Sequence, residues 1–181
     1  MTTHYAALLR GINVGGKRVP MAELRTLMEG LGLDAVRTHL QSGNAVFTSD
    51  EDDEEKLAAH LEQALEKHFG FPVACLVRDG AYLKAVADAC PFPAATLTGK
   101  QLHATYFSTP VDQARFAHLD QPAFLPEEFR LGDRVLYLYV PDGLGRSRLA
   151  EALSRPAVTR GLVATSRNWN TVTKLVELTH E

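Results

Sequence analysis

Glycines and cations recur in this sequence just after apolar runs, where a chain turns from strand to helix. Gly11-Ile12-Asn13-Val14-Gly15-Gly16-Lys17 follows the run Tyr5 to Leu9 and matches the first seven positions of the phosphate loop G-x-x-x-x-G-K-[ST]. The eighth position breaks the match: Arg18 stands where a Ser or Thr hydroxyl would hold magnesium, and Val19-Pro20 separate Lys17 from the following helix. No later strand ends in a plainly placed Asp for the second magnesium contact, so nucleotide hydrolysis is not expected. What survives is a glycine-permitted turning of backbone N–H groups toward one point, with Lys17 and Arg18 beside it, an arrangement that favours anions. The plainer alternative is a tight strand-to-helix connection with solvated cations.

Two further segments share this design. Gly143-Leu144-Gly145 leads into Arg146-Ser147-Arg148 at the start of a helix, and Arg167-Asn168-Trp169 opens the last one. A helix start with guanidinium forks can grip a phosphate or carboxylate. Trp169 could stack on a base or sugar, although a lone Trp is more often core. With the turn Gln41-Ser42-Gly43-Asn44, these give a candidate ligand-binding set of Arg10, Asn13, Gly15, Gly16, Lys17, Gln41, Ser42, Asn44, Arg146, Ser147, Arg148, Arg167, Asn168 and Trp169, of which Arg10, Asn13, Lys17, Gln41, Asn44, Arg146, Arg148, Arg167 and Asn168 are expected to converge on one surface.

Motifs for catalysis are not found: there is no H-E-x-x-H, no G-x-S-x-G and no Cys with an activating neighbour, so no catalytic residue is assigned. No metal site and no cofactor are expected. His39 and His103 fall on predicted strands and read as structural histidines; Glu62 and Glu66, one turn apart, read as solvated. Cys75 alternates with Val73 and Val77 and reads as core. The two cysteines have neither zinc-knuckle nor C-x-x-C spacing and fit a reducing compartment.

The elements that must carry these loops follow from periodicity. A strand over Tyr5 to Leu9 precedes a helix with Pro20 at its first position and Met21, Leu24, Leu27, Met28 and Leu31 at helical spacing, stopped by Gly32. Val36 to Leu40 and Ala45 to Thr48 form a hairpin. The acidic run Asp50 to Glu55 suits the start of a helix closed by Gly70, and Val73 to Val77 is the next strand. A connecting helix, Asp79 to Ala89, ends at the breaker Pro91-Phe92-Pro93-Ala94-Ala95. Beyond it come a strand at Leu102 to Phe107, a helix at Val111 to Leu119, strands at Glu128 to Leu131 and Val135 to Val140, a helix at Arg146 to Leu153, an extended Leu162 to Ala164, and a final helix capped by Thr or Ser. The order β-α-β-β-α-β thus occurs twice, with no residue-level identity between halves. The expected fold is α+β, two tandem ferredoxin-like units with mainly antiparallel sheets, residues 1–90 and 98–181.

Four ordered motifs carry a family resemblance: Leu8-Leu9-Arg10-Gly11-Ile12-Asn13-Val14-Gly15-Gly16-Lys17, Leu40-Gln41-Ser42-Gly43-Asn44, Gly143-Leu144-Gly145-Arg146-Ser147, and Thr165-Ser166-Arg167-Asn168-Trp169-Asn170-Thr171-Val172. Together they resemble the bacterial domain-of-unknown-function 1697 family over nearly the whole chain. The resemblance implies an α+β fold of ferredoxin-like character and transfers no catalytic role.

Composition bounds the function classes. The 181 residues are 45% hydrophobic and 23% charged, ordinary globular usage. A net charge of −3, from 19 Lys+Arg against 22 Asp+Glu, gives no global attraction to duplex nucleic acid, so a polyanion site must be local. No apolar run reaches about 18 residues and no signal-peptide pattern opens the chain, from which a cytoplasmic protein without membrane association is expected. The leading expectation is binding of a phosphate-bearing or other anionic small molecule, a nucleotide or a nucleic-acid end. The alternatives are a small enzyme acting on a phosphorylated or carboxylated metabolite, RNA recognition on a sheet face bearing Tyr137 and Tyr139 or His103, Thr105 and Phe107, and a protein-interaction role.

Overall fold

The computed structural model describes residues 2–40 and 43–181. Among the described residues it is a mixed α/β protein with two four-stranded antiparallel sheets and six α-helices. The chain divides into two compact units, Met1–Lys84 with Leu175–Glu181, and Ala85–Lys174.

In the first unit the order is β1 (Thr3–Leu9), α1 (Met21–Gly30), β2 (Asp34–His39), β3 (Asn44–Ser49), α2 (Glu54–Phe69) and β4 (Cys75–Asp79), with sheet order β2-β3-β1-β4. Period-two alternation sends Tyr5, Ala7 and Leu9 of β1, Ala45 and Phe47 of β3, and Cys75 and Val77 of β4 into one core with Leu24 and Met28 of α1 and Leu57, Leu61 and Leu65 of α2. The acidic run works as expected: the Asp53 carboxylate accepts from the Glu55 and Lys56 amides, and Gly70 closes α2 at φ 83°. Pro20 lies one residue before α1 rather than inside it, and its carbonyl accepts from the Leu24 amide.

The second unit repeats the sheet order, as β6-β7-β5-β8, with β5 (Leu102–Phe107), β6 (Glu128–Gly132), β7 (Val135–Tyr139) and β8 (Ala164–Asn168). Its connections differ. The helix expected over Val111 to Leu119 is a single 3-10 turn, Gln113–Phe116, followed by a second at Gln121–Phe124. Asp112 caps the first through the Ala114 amide, Phe116 is drawn into the core 5.2 Å from the Phe129 ring, and Pro122 begins the next turn before another helical turn can form. Between β7 and β8 lie α4 (Arg148–Leu153) and α5 (Pro156–Thr159). The helices α3 (Gly80–Asp88) and α6 (Trp169–Leu178) each contribute residues to both units.

His103 on β5 is buried, with Nε2 3.0 Å from the Lys100 carbonyl oxygen, and burial holds its imidazole below the usual histidine range. The unfolded chain therefore binds this proton more readily than the folded one. Stability from this group is complete above the ordinary histidine pKa and falls as pH drops through the lowered folded value. Denaturant titrations at pH 7.5 and pH 5 should show wild type losing more stability on acidification than His103→Gln. Equal losses would remove His103 as a contributor.

Candidate functional site

In the first unit β1 leaves the sheet between two neighbouring segments. The Leu9 amide donates to the Gly43 carbonyl (2.8 Å), and the Arg10 amide to the Ala74 carbonyl (2.9 Å). The chain then loops through Gly11, Asn13, Gly15 and Gly16, all at positive φ between 57° and 83°. Asn13 closes this loop like a buckle: its Oδ1 accepts from the Val19 amide (2.9 Å) and its Nδ2 donates to the Val19 carbonyl (3.2 Å). The Asn13 amide also donates to the Lys17 carbonyl (2.6 Å), Lys17 N–H to Val14 (3.1 Å) and Arg18 N–H to Gly16 (3.1 Å). Buried Ile12 and Val19 anchor the base, while Val14 at the tip is 62% exposed.

This geometry changes the chemistry on offer. The amides of Asn13, Lys17, Arg18 and Val19 bond the loop's own oxygens, so the loop presents side-chain cations more than a backbone nest. Arg10, Lys17 and Arg18 are exposed, and among the described residues none has a carboxylate within ion-pair distance. Asn13→Ala should remove both bonds to Val19 and place a Cβ-branchless but left-handed-averse residue at φ 57°, costing about 2 kcal/mol. Chemical denaturation measures it, and a change within experimental error would show that the buckle is dispensable.

The turn beside this loop belongs to the same end of the sheet. Gly43 adopts φ 97°, and a Cβ there would come within 2.8 Å of both Leu9 Cβ and Ile12 Cδ1. Asn44 is fully buried and donates from Nδ2 to the His39 carbonyl (2.9 Å), a structural role. Gln41 and Ser42 lie outside the described residues. Within this unit the structure thus brings Arg10, Asn13, Gly15, Gly16 and Lys17 together with Gly43 and Asn44.

The second-unit candidates are engaged differently. Ser147 Oγ accepts from the Ala150 amide (2.8 Å) and Glu127 Oε1 from the Leu149 amide (3.3 Å), so the start of α4 is capped by the protein itself. Arg146 is exposed, and Arg148 lies over the Phe124 ring at 5.8 Å. Arg167 is buried, donating to Thr165 Oγ1 (2.7 Å) and the Ser166 carbonyl (2.9 Å). It stands within β8, which begins later than the extended segment expected at Leu162. Asn168, rather than a Thr or Ser, caps α6, its Oδ1 accepting from the Thr171 amide (3.0 Å); Ser166 is held instead by the Thr105 hydroxyl across the sheet (2.7 Å). Trp169 is buried, 6.3 Å from the Tyr137 ring. Tyr137 and Phe107 are buried too, so a base could not stack on them without opening the fold.

One residue that periodicity passed over is Arg78. It is buried on β4 and donates to the Val77 carbonyl (2.8 Å), while Asp79 after it accepts from the Tyr82 amide (2.7 Å) at the start of α3. Arg167 and Asn168 repeat this arrangement before α6. The signal was present as Arg-Asp and Arg-Asn, each ending a strand and opening a helix.

Among the described residues no group of three His, Cys, Asp or Glu side chains could hold a metal ion, and no helix is long and apolar enough to cross a membrane. Cys75 is buried, and burial pushes the half-buried Cys90 thiol up from its ordinary value.

The family model described as a protein of unknown function (DUF1697) matches residues 1–137. No curated protein matches the chain. Among solved structures it is similar to the conserved bacterial protein SP0830 from Streptococcus pneumoniae, at 24% identity and a TM-score of 0.80 over the whole of both chains, a likeness of fold.

Proposed function

The chain belongs to the DUF1697 family, and we propose that it binds a phosphate-bearing small molecule, a nucleotide or the phosphorylated end of a nucleic acid, at the Arg10–Arg18 loop. The observation that carries this reading is the set of three exposed cations, Arg10, Lys17 and Arg18, without carboxylate partners among the described residues, on a loop pinned by Asn13. In a chain of net charge −3, leaving three cations uncompensated on one short segment makes a local positive field that a polyanion would neutralise. Arg146 extends the reading to a second basic loop. In the same reading both units are ferredoxin-like, the second with its first helix reduced to 3-10 turns, since both share the order 2-3-1-4.

Thermal-shift measurements with nucleotides, sugar phosphates and short 5′-phosphorylated RNAs, each beside its dephosphorylated form, test the proposal. Ligand at a hundred times its Kd adds about 2.7 kcal/mol to stability, a readily measured rise in Tm. Stabilisation should require the phosphate. No shift with any phosphorylated compound overturns the reading.

A further inference from the structure

The two sheets have four edge strands, β2 and β4 in one unit, β6 and β8 in the other. An edge presents alternate N–H and C=O groups that template pairing with another chain. On three of these edges an arginine folds back onto the carbonyl of the residue before it: Arg78 Nη1 to Val77 (2.8 Å), Arg130 Nη1 to Phe129 (2.9 Å) and Arg167 Nη1 to Ser166 (2.9 Å). On the fourth, β2, Arg37 donates to the Leu178 carbonyl (3.1 Å) and pairs with Glu181 (2.5 Å).

Ladder parity shows that the three capped carbonyls point away from their sheets. The Arg10 amide bonds Ala74, so Leu8/Leu76 and Ala6/Arg78 are the hydrogen-bonded pairs and Val77 faces outward from β1. The Ser108 amide bonds Val163, which by the same count turns Ser166 away from β5. The Val140 amide bonds Gln101, leaving Tyr139, Tyr137 and Val135 to bond β6 through Glu128, Arg130 and Gly132; Phe129 and Leu131 therefore face outward. Arg78 and Arg167 occupy matching positions, opposite Ala6 and Ala104, and both are buried. Arg130 is different: its side chain is 50% exposed, held by Glu128 at 3.4 Å. It also lines an open groove of about 730 Å³ floored by Phe116, Leu119, Phe129 and Leu131.

We propose that Arg130 is an edge guard that keeps β6 from pairing with the β6 of a second copy of this chain. An incoming strand would aim an N–H at the outward Phe129 carbonyl, where the charged guanidinium is already bonded at 2.9 Å. Adding a strand would break that bond and strip water from a charge. Without the guard, two β6 edges related by a two-fold axis would supply each other's outward N–H and C=O groups, and each groove would gain apolar cover.

Size-exclusion chromatography with light scattering over a wide concentration range tests this on the full chain. Arg130→Ala should rise with concentration to twice the wild-type mass, whereas Arg130→Lys, which keeps a cation on the edge, should match wild type. Adding Leu131→Pro to Arg130→Ala should restore the wild-type mass, because proline at an outward N–H blocks strand addition without breaking the β6–β7 ladder. Far-UV circular dichroism establishes folding, and Arg130→Gln repeats the reading if the alanine variant does not fold. A folded variant without the guard that keeps the wild-type mass at all concentrations overturns the proposal, as does association that Leu131→Pro leaves intact.

Discussion

Gly43→Ala is expected to destabilise the first unit by about 3 kcal/mol, combining roughly 1–2 kcal/mol for an L-residue in the left-handed region with the cost of overpacking. The methyl group would sit 2.8 Å from Leu9 Cβ and from Ile12 Cδ1, where Ile12 is buried and Leu9 is fixed in β1. Leu9 Cβ cannot give way, since the Leu9 amide is itself bonded to the Gly43 carbonyl, and Ile12 Cδ1, although a side-chain end, belongs to a buried residue. For a chain of this size the loss corresponds to a Tm lower by roughly 6–12 °C. Gly15→Ala serves as the comparison: φ is 57° there, but nothing lies within 4 Å of the added carbon, so only the backbone cost of roughly 1–2 kcal/mol applies. If the two variants melt together, close packing between the turn and the Arg10–Arg18 loop is not what holds this end of the sheet.

The same residues show why part of this protein can be read from its sequence. Alternation at Tyr5, Ala7 and Leu9 and the helical spacing of Leu57, Leu61 and Leu65 are local signals, and both elements form where they place them. The pattern Val111, Phe116, Leu119 is equally apolar, yet it yields a 3-10 turn, because Phe116 is claimed by Phe129 and Pro122 cuts the run short. Strand β8 extends beyond the apolar Leu162 to Ala164 for a related reason: Thr165, Ser166 and Arg167 are polar, and their extended state is set by cross-strand partners rather than by apolar periodicity. In the candidate site, residue types announced positive charge but not its availability. Arg10 and Arg167 look alike in sequence, each basic and each near a strand end. Only the fold shows one exposed and the other buried against Thr165 and the Ser166 carbonyl. Asn13 likewise reads as a ligand contact until its amide is seen spent on both polar atoms of Val19.

That distinction fixes which substitutions should matter for ligand binding. Replacing Arg10, Lys17 and Arg18 together by alanine is expected to weaken binding of any phosphorylated ligand by on the order of a hundredfold or more, since hydrogen bonds to charged groups contribute about 1.5–3 kcal/mol each. Among the described residues none of the three side chains has an ion-pair partner, so their loss should leave stability nearly unchanged. The Asn13 buckle and the buried Ile12 and Val19 remain to hold the loop. Affinity should therefore collapse while Tm without ligand stays within a degree or two, the reverse of the Gly43→Ala signature. Raising salt should weaken wild-type binding and affect the triple variant little, because the screened charges are those removed. Isothermal titration with the ligand that shifts wild type most reads both effects. Unchanged affinity in the triple variant would move the anion site away from this loop, and Arg146→Ala would then be the variant to test against the second unit's basic turn.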